Sequence, residues 1–140
     1  MKVLIDTNVI IDIINKREQF VEASLNAVQF VFQNYTPCVS STTIADTVYI
    51  TKKTYPTSDV QKKLLSVFFS KFKVLSVSKK QIKQAFNSQM NDFEDAIQAF
   101  CAKRAGVKVI ITRNTKDYIF SPIPALTPTD FLKHLEYKND

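Results

Sequence analysis

Glycine is nearly absent: Gly106 is the one glycine in 140 residues. Phosphate-cradling loops of the P-loop or G-x-G-x-x-G kind need several glycines so that the backbone can approach the phosphates, so neither device is present. Histidine is as scarce, with His134 the sole imidazole. That argues against a histidine metal site and, with no partner in view, against Ser-His or Cys-His catalysis. The two cysteines, Cys38 and Cys101, have neither zinc-finger spacing nor the density of a disulfide scaffold; buried reduced thiols in a cytosolic protein are expected. No apolar run approaches the ~20 residues of a membrane span. The opening Met1-Lys2-Val3-Leu4-Ile5-Asp6 puts a carboxylate where a signal peptide would continue its apolar core, so the expected location is the cytoplasm. With these chemistries set aside, any reaction falls mostly to carboxylates.

The hydrophobic fraction, 45%, and the length suit one domain over residues 1–140. Charge is unevenly placed. The stretch Thr47 to Asn91 carries nine lysines against one acid, Asp59, whereas the net charge of the whole chain is only +6. A basic middle flanked by acidic ends can bind a polyanion with one part and cations with another; a solvated lysine surface is the plainer alternative.

Apolar runs at Val3–Ile5, Pro37–Val39, Phe72–Val77, Val107–Ile111 and Ile123–Leu126 read as strands. Helical patterns fall between them, at roughly 8–15, 17–34, 42–53, from Thr57 or Ser58, from Ser78 to about 89, from Asp92 to Gly106, and from Pro128. Gly106 reads as a left-handed helix end. Strands alternating with helices predict an α/β fold with a mostly parallel sheet covered by helices.

The acids follow strand ends. Asp6 directly follows the first strand, Asp46 lies on the helix after the second, Asp92 and Asp95 begin the helix before the fourth, and Asn114 and Asp117 follow the fourth. Ligands of open α/β sheets bind outside the carboxyl ends of the strands. Oxygen donors suit hard cations such as Mg²⁺ and Mn²⁺, which can activate water and neutralise charge on a phosphodiester. Each acid also has a plainer role: Asp6 as a helix cap, Asp92 and Asp95 as a capping pair. Asp12 is expected on a solvated helix position and Glu94 facing solvent, with Phe93, Ala96, Ile97 and Phe100 as the core stripe of their helix.

Val3-Leu4-Ile5-Asp6-Thr7-Asn8-Val9-Ile10 resembles the first motif of the PIN-domain nucleases, an apolar strand ending in Asp-x-Asn. Ser40-Ser41-Thr42-Thr43-Ile44-Ala45-Asp46 resembles the second, Asp92-Phe93-Glu94-Asp95-Ala96-Ile97-Gln98-Ala99 the third, and Ile110-Ile111-Thr112-Arg113-Asn114-Thr115-Lys116-Asp117-Tyr118 the fourth. The closing Ile123 to Leu132 also fits, so the resemblance spans essentially the whole chain. It implies a three-layer α/β/α fold with a mostly parallel central sheet. It also implies an Mg²⁺- or Mn²⁺-dependent endoribonuclease similar to small VapC-type toxins, which form homodimers and are silenced by an antitoxin protein. Carried onto this chain, the catalytic set is Asp6, Asp46, Asp95 and Asp117, with Asp6, Asp95 and Asp117 toward the metal. Asn8, Asp92, Thr112 and Asn114 support them. Two departures stand out: Asp46 occupies a position more often Glu, and Asn114 one where many members carry the fourth acid. Lys52, Lys53, Lys62 and Lys63 are the candidate RNA contacts.

Two rivals remain. A haloacid-dehalogenase-type phosphatase also opens with a strand and Asp, but needs a second Asp where Asn8 stands. A catalytically inactive PIN fold acting as an RNA or protein scaffold is the other.

Overall fold

Val3, Leu4 and Ile5 are fully buried, as a strand covered on both faces requires. The computed structural model describes residues 1–139, with side-chain surroundings through Leu135. Along the chain run β1 (Lys2–Ile5), α1 (Thr7–Ile14), α2 (Val21–Asn34), β2 (Thr36–Ser40), α3 (Ser41–Ile50), α4 (Ser58–Phe69), β3 (Lys73–Leu75), α5 (Lys79–Phe86), α6 (Phe93–Ala105), β4 (Val107–Ile111), β5 (Ala125–Leu126) and α7 (Pro128–Asn139). Single 3-10 turns occupy Lys52–Thr54 and Thr115–Tyr118.

The sheet order is β3-β2-β1-β4-β5 and every pairing is parallel. The chain leaves β1 to build one side of the sheet and then crosses back to build the other. The crevice at the carboxyl ends of β1 and β4 is therefore the topological switch point, where parallel sheets open for ligands. Alternation along β1 supplies two cores. Val3 and Ile5 meet α1, α2, α4 and α7 through Val9, Ile10, Val31, Leu65 and Phe131, while Leu4 meets α5 and α6 through Ala85, Ala96, Ala99 and Ala102. This is the expected three-layer α/β/α arrangement. No described helix is long and apolar enough to cross a membrane.

Several expectations shift in ways local chemistry explains. The second helix, expected from 17, begins at Val21, because α1 ends with Lys16 in the left-handed region (φ 51) and residues 17–20 are used to turn. The third, expected to 53, stops at Ile50. There Thr47 and Thr51 turn their hydroxyls back onto the carbonyls of Thr43 and Thr47, at 2.7 Å each, a pattern that weakens and bends helices. The fifth helix ends at Phe86 rather than near 89, and β3 and β5 are shorter than their apolar runs. The core stripe of α6 is made of Ala96, Ala99, Cys101 and Ala102 with Ile97 packed against it, as expected of Ala96 and Ile97 but without Phe100 or Phe93. Phe93 is exposed and its ring lies tilted against Phe86, centroids 4.5 Å apart, and small residues let α6 lie close to the sheet. Cys38 and Cys101 are buried and unpaired.

Candidate active site

Asp6 leaves β1 at the switch point and caps α1: its Oδ1 accepts the Thr7 N–H at 2.7 Å. Four more donors converge on the same carboxylate. Gln98 Nε2 donates to Oδ1 at 3.0 Å; Thr112 Oγ1 at 2.7 Å and Asn8 Nδ2 at 3.2 Å donate to Oδ2; the Tyr118 hydroxyl stands 3.3 Å from Oδ2. Asp6 is 6% exposed, and this ring of donors sets the plane of its carboxylate. Asn8 also reaches Thr112 Oγ1 at 3.2 Å and accepts the Arg113 N–H at 3.1 Å, tying α1 to the end of β4.

Gln98 and Tyr118 are not among the residues expected from sequence. The amide of Gln98 is fully engaged: its oxygen accepts from Ser40 and Thr43 at 3.0 Å each, and its nitrogen donates to Asp6 and, at 2.7 Å, to the Tyr118 oxygen. Segments from β1, β2, α3, α6 and the turn after β4 meet at this one side chain. The available signal was a long polar residue amid the small apolar ones of α6, Ala96, Ala99 and Ala102. Tyr118 also reaches Asp95 Oδ1 at 3.2 Å, so one hydroxyl lies between the carboxylates of Asp6 and Asp95.

Above this buried floor is a cleft of about 380 Å³ lined by Asp6, Asp46, Asp92, Glu94, Asp95 and Asp117. Asn8 and Asn114 lie on the same wall system, and Thr112 sits beneath, fully buried. The four expected acids therefore share one cleft, and Asn114 and Asp117 both face it. Asp92 does act as a helix cap, accepting the Asp95 N–H at 2.9 Å. Glu94 is exposed but stands at the cleft rather than away from it, beside Asp46.

Crowding shows in the proton affinities. Asp95 is pushed up to about 7 by burial and then by the charges of Asp6 and Asp92, against the opposing hydrogen bond from Tyr118. Glu94 is raised to about 7, first by hydrogen bonding with Asp46, then by burial and the surrounding acids. Burial, with Asp6 and Asp95 nearby, holds the Tyr118 hydroxyl in its neutral form. Such a set of oxygen donors suits a hard cation that keeps several waters, and a cation would relieve the repulsion that raises Asp95 and Glu94. Among the described residues no group of three or more acidic, histidine or cysteine side chains is arranged to hold a metal ion by itself, so a cation in this cleft would need waters or substrate oxygens among its ligands.

Asp12 corrects the expectation of a solvated position. It is fully buried and paired with Arg113, whose Nε donates to Oδ2 and whose Nη2 donates to Oδ1 at 3.3 Å. Arg113 also lies over the Phe20 ring at 4.1 Å. The partner of Asp12 comes from 101 residues away, which periodicity along α1 cannot reveal. Lys52, Lys53, Lys62 and Lys63 are exposed on the 3-10 turn after α3 and on α4, outside the cleft lining.

Comparison with known proteins agrees with this geometry. The chain is 29% identical over 139 residues to Ribonuclease VapC1 of Aquifex aeolicus, covering 93% of this chain and 92% of that one. Its fold matches a chain of the Rickettsia felis VapBC2 structure bound to a promoter DNA fragment, with TM-score 0.71 at 18% identity, covering 91% of this chain and 98% of the other. It also matches a chain of a toxin–antitoxin complex from Klebsiella pneumoniae, with TM-score 0.70 at 23% identity and coverage of 90% and 97%. The PIN domain pattern matches residues 2–116, most of the chain and all of the cleft lining except Asp117, and this protein belongs to the PIN domain family.

Proposed function

We propose that this chain is a metal-dependent endoribonuclease, one catalytic domain over residues 1–140, and the toxin of a toxin–antitoxin pair. The carrying observation is the convergence of Asp6, Asp46, Asp95 and Asp117 in one cleft at the switch point of the sheet. The similarity to Ribonuclease VapC1 supports RNA as substrate. The likeness to chains from a VapBC structure and a toxin–antitoxin complex supports an antitoxin protein as partner, and a homodimer would be the working form, as the resemblance to VapC-type toxins implies. The cytoplasm, where RNA is met, is the site of action.

Asp6, Asp95 and Asp117 would hold Mg²⁺ or Mn²⁺ partly through the waters such an ion keeps, with Asn114 and Asp92 at the margin of the site. The bound cation would lower the proton affinity of an attacking water and offset charge on the scissile phosphate. Asp46, beside Glu94, would accept a proton from that water. Asn8, Thr112, Gln98 and Tyr118 hold Asp6 in one orientation, so that little reorganisation accompanies reaction.

Labelled RNA incubated with Mn²⁺ or with EDTA tests the reading. Cleavage is expected with Mn²⁺, lost in EDTA, leaving 3′-hydroxyl and 5′-phosphate ends. Asp95→Asn keeps the size of the side chain and leaves the Asp92 cap in place, so the protein should fold, while cleavage falls by about 10²–10³. Asp117→Asn should also impair cleavage if Asp117 supplies the carboxylate that Asn114 lacks. RNA binding without cleavage under every metal condition would make the chain an inactive scaffold.

A further inference from the structure

An acidic cleft repels the substrate it is proposed to cut. Six carboxylates line it, RNA adds a negative charge at every phosphate, and the exposed lysines of α4 stand outside the lining. Among the described residues that line the cleft, Arg17 is the one cationic side chain.

We propose that Arg17 is a substrate-binding residue that grips a phosphodiester of RNA at the mouth of the cleft; this rests on the ribonuclease reading and extends it. Three observations carry the assignment. First, Arg17 is not needed to neutralise its neighbour. Its Nη1 lies 3.6 Å from Asp12 Oδ1, beyond hydrogen-bond length, and buried Asp12 is already held by two bonds from Arg113. Positive charge and guanidinium donors are left over. Second, the Arg17 side chain is 49% exposed although its backbone is pinned on both sides. Its N–H donates to the Asp12 carbonyl at 3.0 Å, and its carbonyl accepts from Phe20 and Val21 at 2.9 and 2.8 Å.

Third, the chain reaches this position through an unfavourable residue. Lys16 N–H donates to the Ile13 carbonyl and Arg17 N–H to the Asp12 carbonyl, the doubly bonded helix end that calls for a left-handed residue at the first of these two donors. Lys16 fills that place at φ 51, where a side chain is disfavoured. Arg17, the next residue after this turn, lines the cleft. A guanidinium so placed offers a planar fork of donors that matches two phosphate oxygens.

The test uses the full chain and a fluorescent single-stranded RNA oligonucleotide. Binding is measured in EDTA across salt concentrations, and steady-state cleavage in Mn²⁺. Arg17→Gln should weaken binding and raise KM by about tenfold or more, as removal of a charge-assisted hydrogen bond implies. It should also flatten the log–log salt dependence by about 0.7. Arg17→Lys should keep the salt slope and recover part of the affinity. Thermal midpoints should stay near that of the parent, a readout that separates RNA binding from a structural role. An Arg17→Gln protein that is folded and binds with parental affinity and slope overturns the proposal, as does one that cannot fold, since Arg17 would then serve Asp12. If the parent binds RNA through Arg17 but never cleaves it, the nuclease reading fails and this one stands. If the parent cleaves RNA with a KM indifferent to Arg17, the reverse holds.

Discussion

At the scale of single residues, Gln98 and Asp6 depend on each other. A buried carboxylate that accepts from five side-chain and backbone donors is held in one plane, and Gln98 is the donor that also satisfies Ser40, Thr43 and Tyr118. Gln98 itself is 3% exposed. Replacing it with Ala opens a void and strips partners from several buried hydroxyls, each costing ~1–3 kcal/mol when unsatisfied. Gln98→Ala should destabilise the protein by about 3 kcal/mol in urea unfolding, and should lower kcat in whatever remains folded, because Asp6 and Tyr118 lose their common anchor. A variant with parental stability would mean that water replaces the amide without loss.

At the scale of elements, caps written locally in the chain are realised locally in the fold. Thr57 accepts the Val60 N–H at 3.2 Å, Ser78 and Gln81 close a capping box, Asp92 caps α6, and Gly106 ends that helix at φ 79. Each depends on neighbours within four residues, so spacing alone exposes it. The end of α1 is the exception, because the left-handed position falls on Lys16 and the chain offers no glycine there. Lys16→Gly should stabilise the protein by about 1 kcal/mol by removing the clash of Cβ with the backbone. Differential scanning calorimetry would read this as a higher Tm, and an unchanged or lower Tm would refute it. If the turn merely needs to be left-handed, RNA cleavage should persist in this variant.

At the scale of the whole molecule, opposite charges are segregated: acids at the crevice, lysines on the 3-10 turn after α3 and on α4. Crowding makes the cleft pH-sensitive. With Asp95 and Glu94 raised to about 7 from ordinary values near 4, the folded state keeps protons that the unfolded chain releases between about pH 4 and 7. Stability should therefore fall as pH rises through that window and level off above it. Without divalent ions, Tm should be higher at pH 5 than at pH 7.5. The Asp95→Asn/Glu94→Gln protein should show a smaller difference, and Mn²⁺ should raise Tm at pH 7.5 more than at pH 5. An equal pH dependence in the double variant would remove these two groups as its cause. For the lysines, replacing Lys52, Lys53, Lys62 and Lys63 with Ala should flatten the salt dependence of RNA binding by roughly 0.7 for each phosphate no longer neutralised, with kcat at saturating RNA little changed. An unaltered slope would leave them as a solvated surface.

Local chemistry along the chain is enough to define the elements, their alternation and the positions of four acids relative to strand ends. Apolar runs, caps and a lone glycine act within a few residues of themselves, and parallel connection follows from strand–helix–strand order. Asp6, Asp46, Asp95 and Asp117 were legible for the same reason: each sits at a fixed offset from a local element. Which side chains complete the site is settled only by the packing of distant segments. Gln98 reaches Asp6 across 92 positions, Arg113 reaches Asp12 across 101, and Thr112 reaches Asp6 across 106. No periodicity encodes such pairings. Asp12 read as solvated because its partner was out of range, and Glu94, which is exposed as expected, read as facing away from any site because Asp46 lies on another helix. Burial and charge pairing are properties of what surrounds a residue, and for these residues the surroundings exist only once the sheet has brought distant segments to one edge.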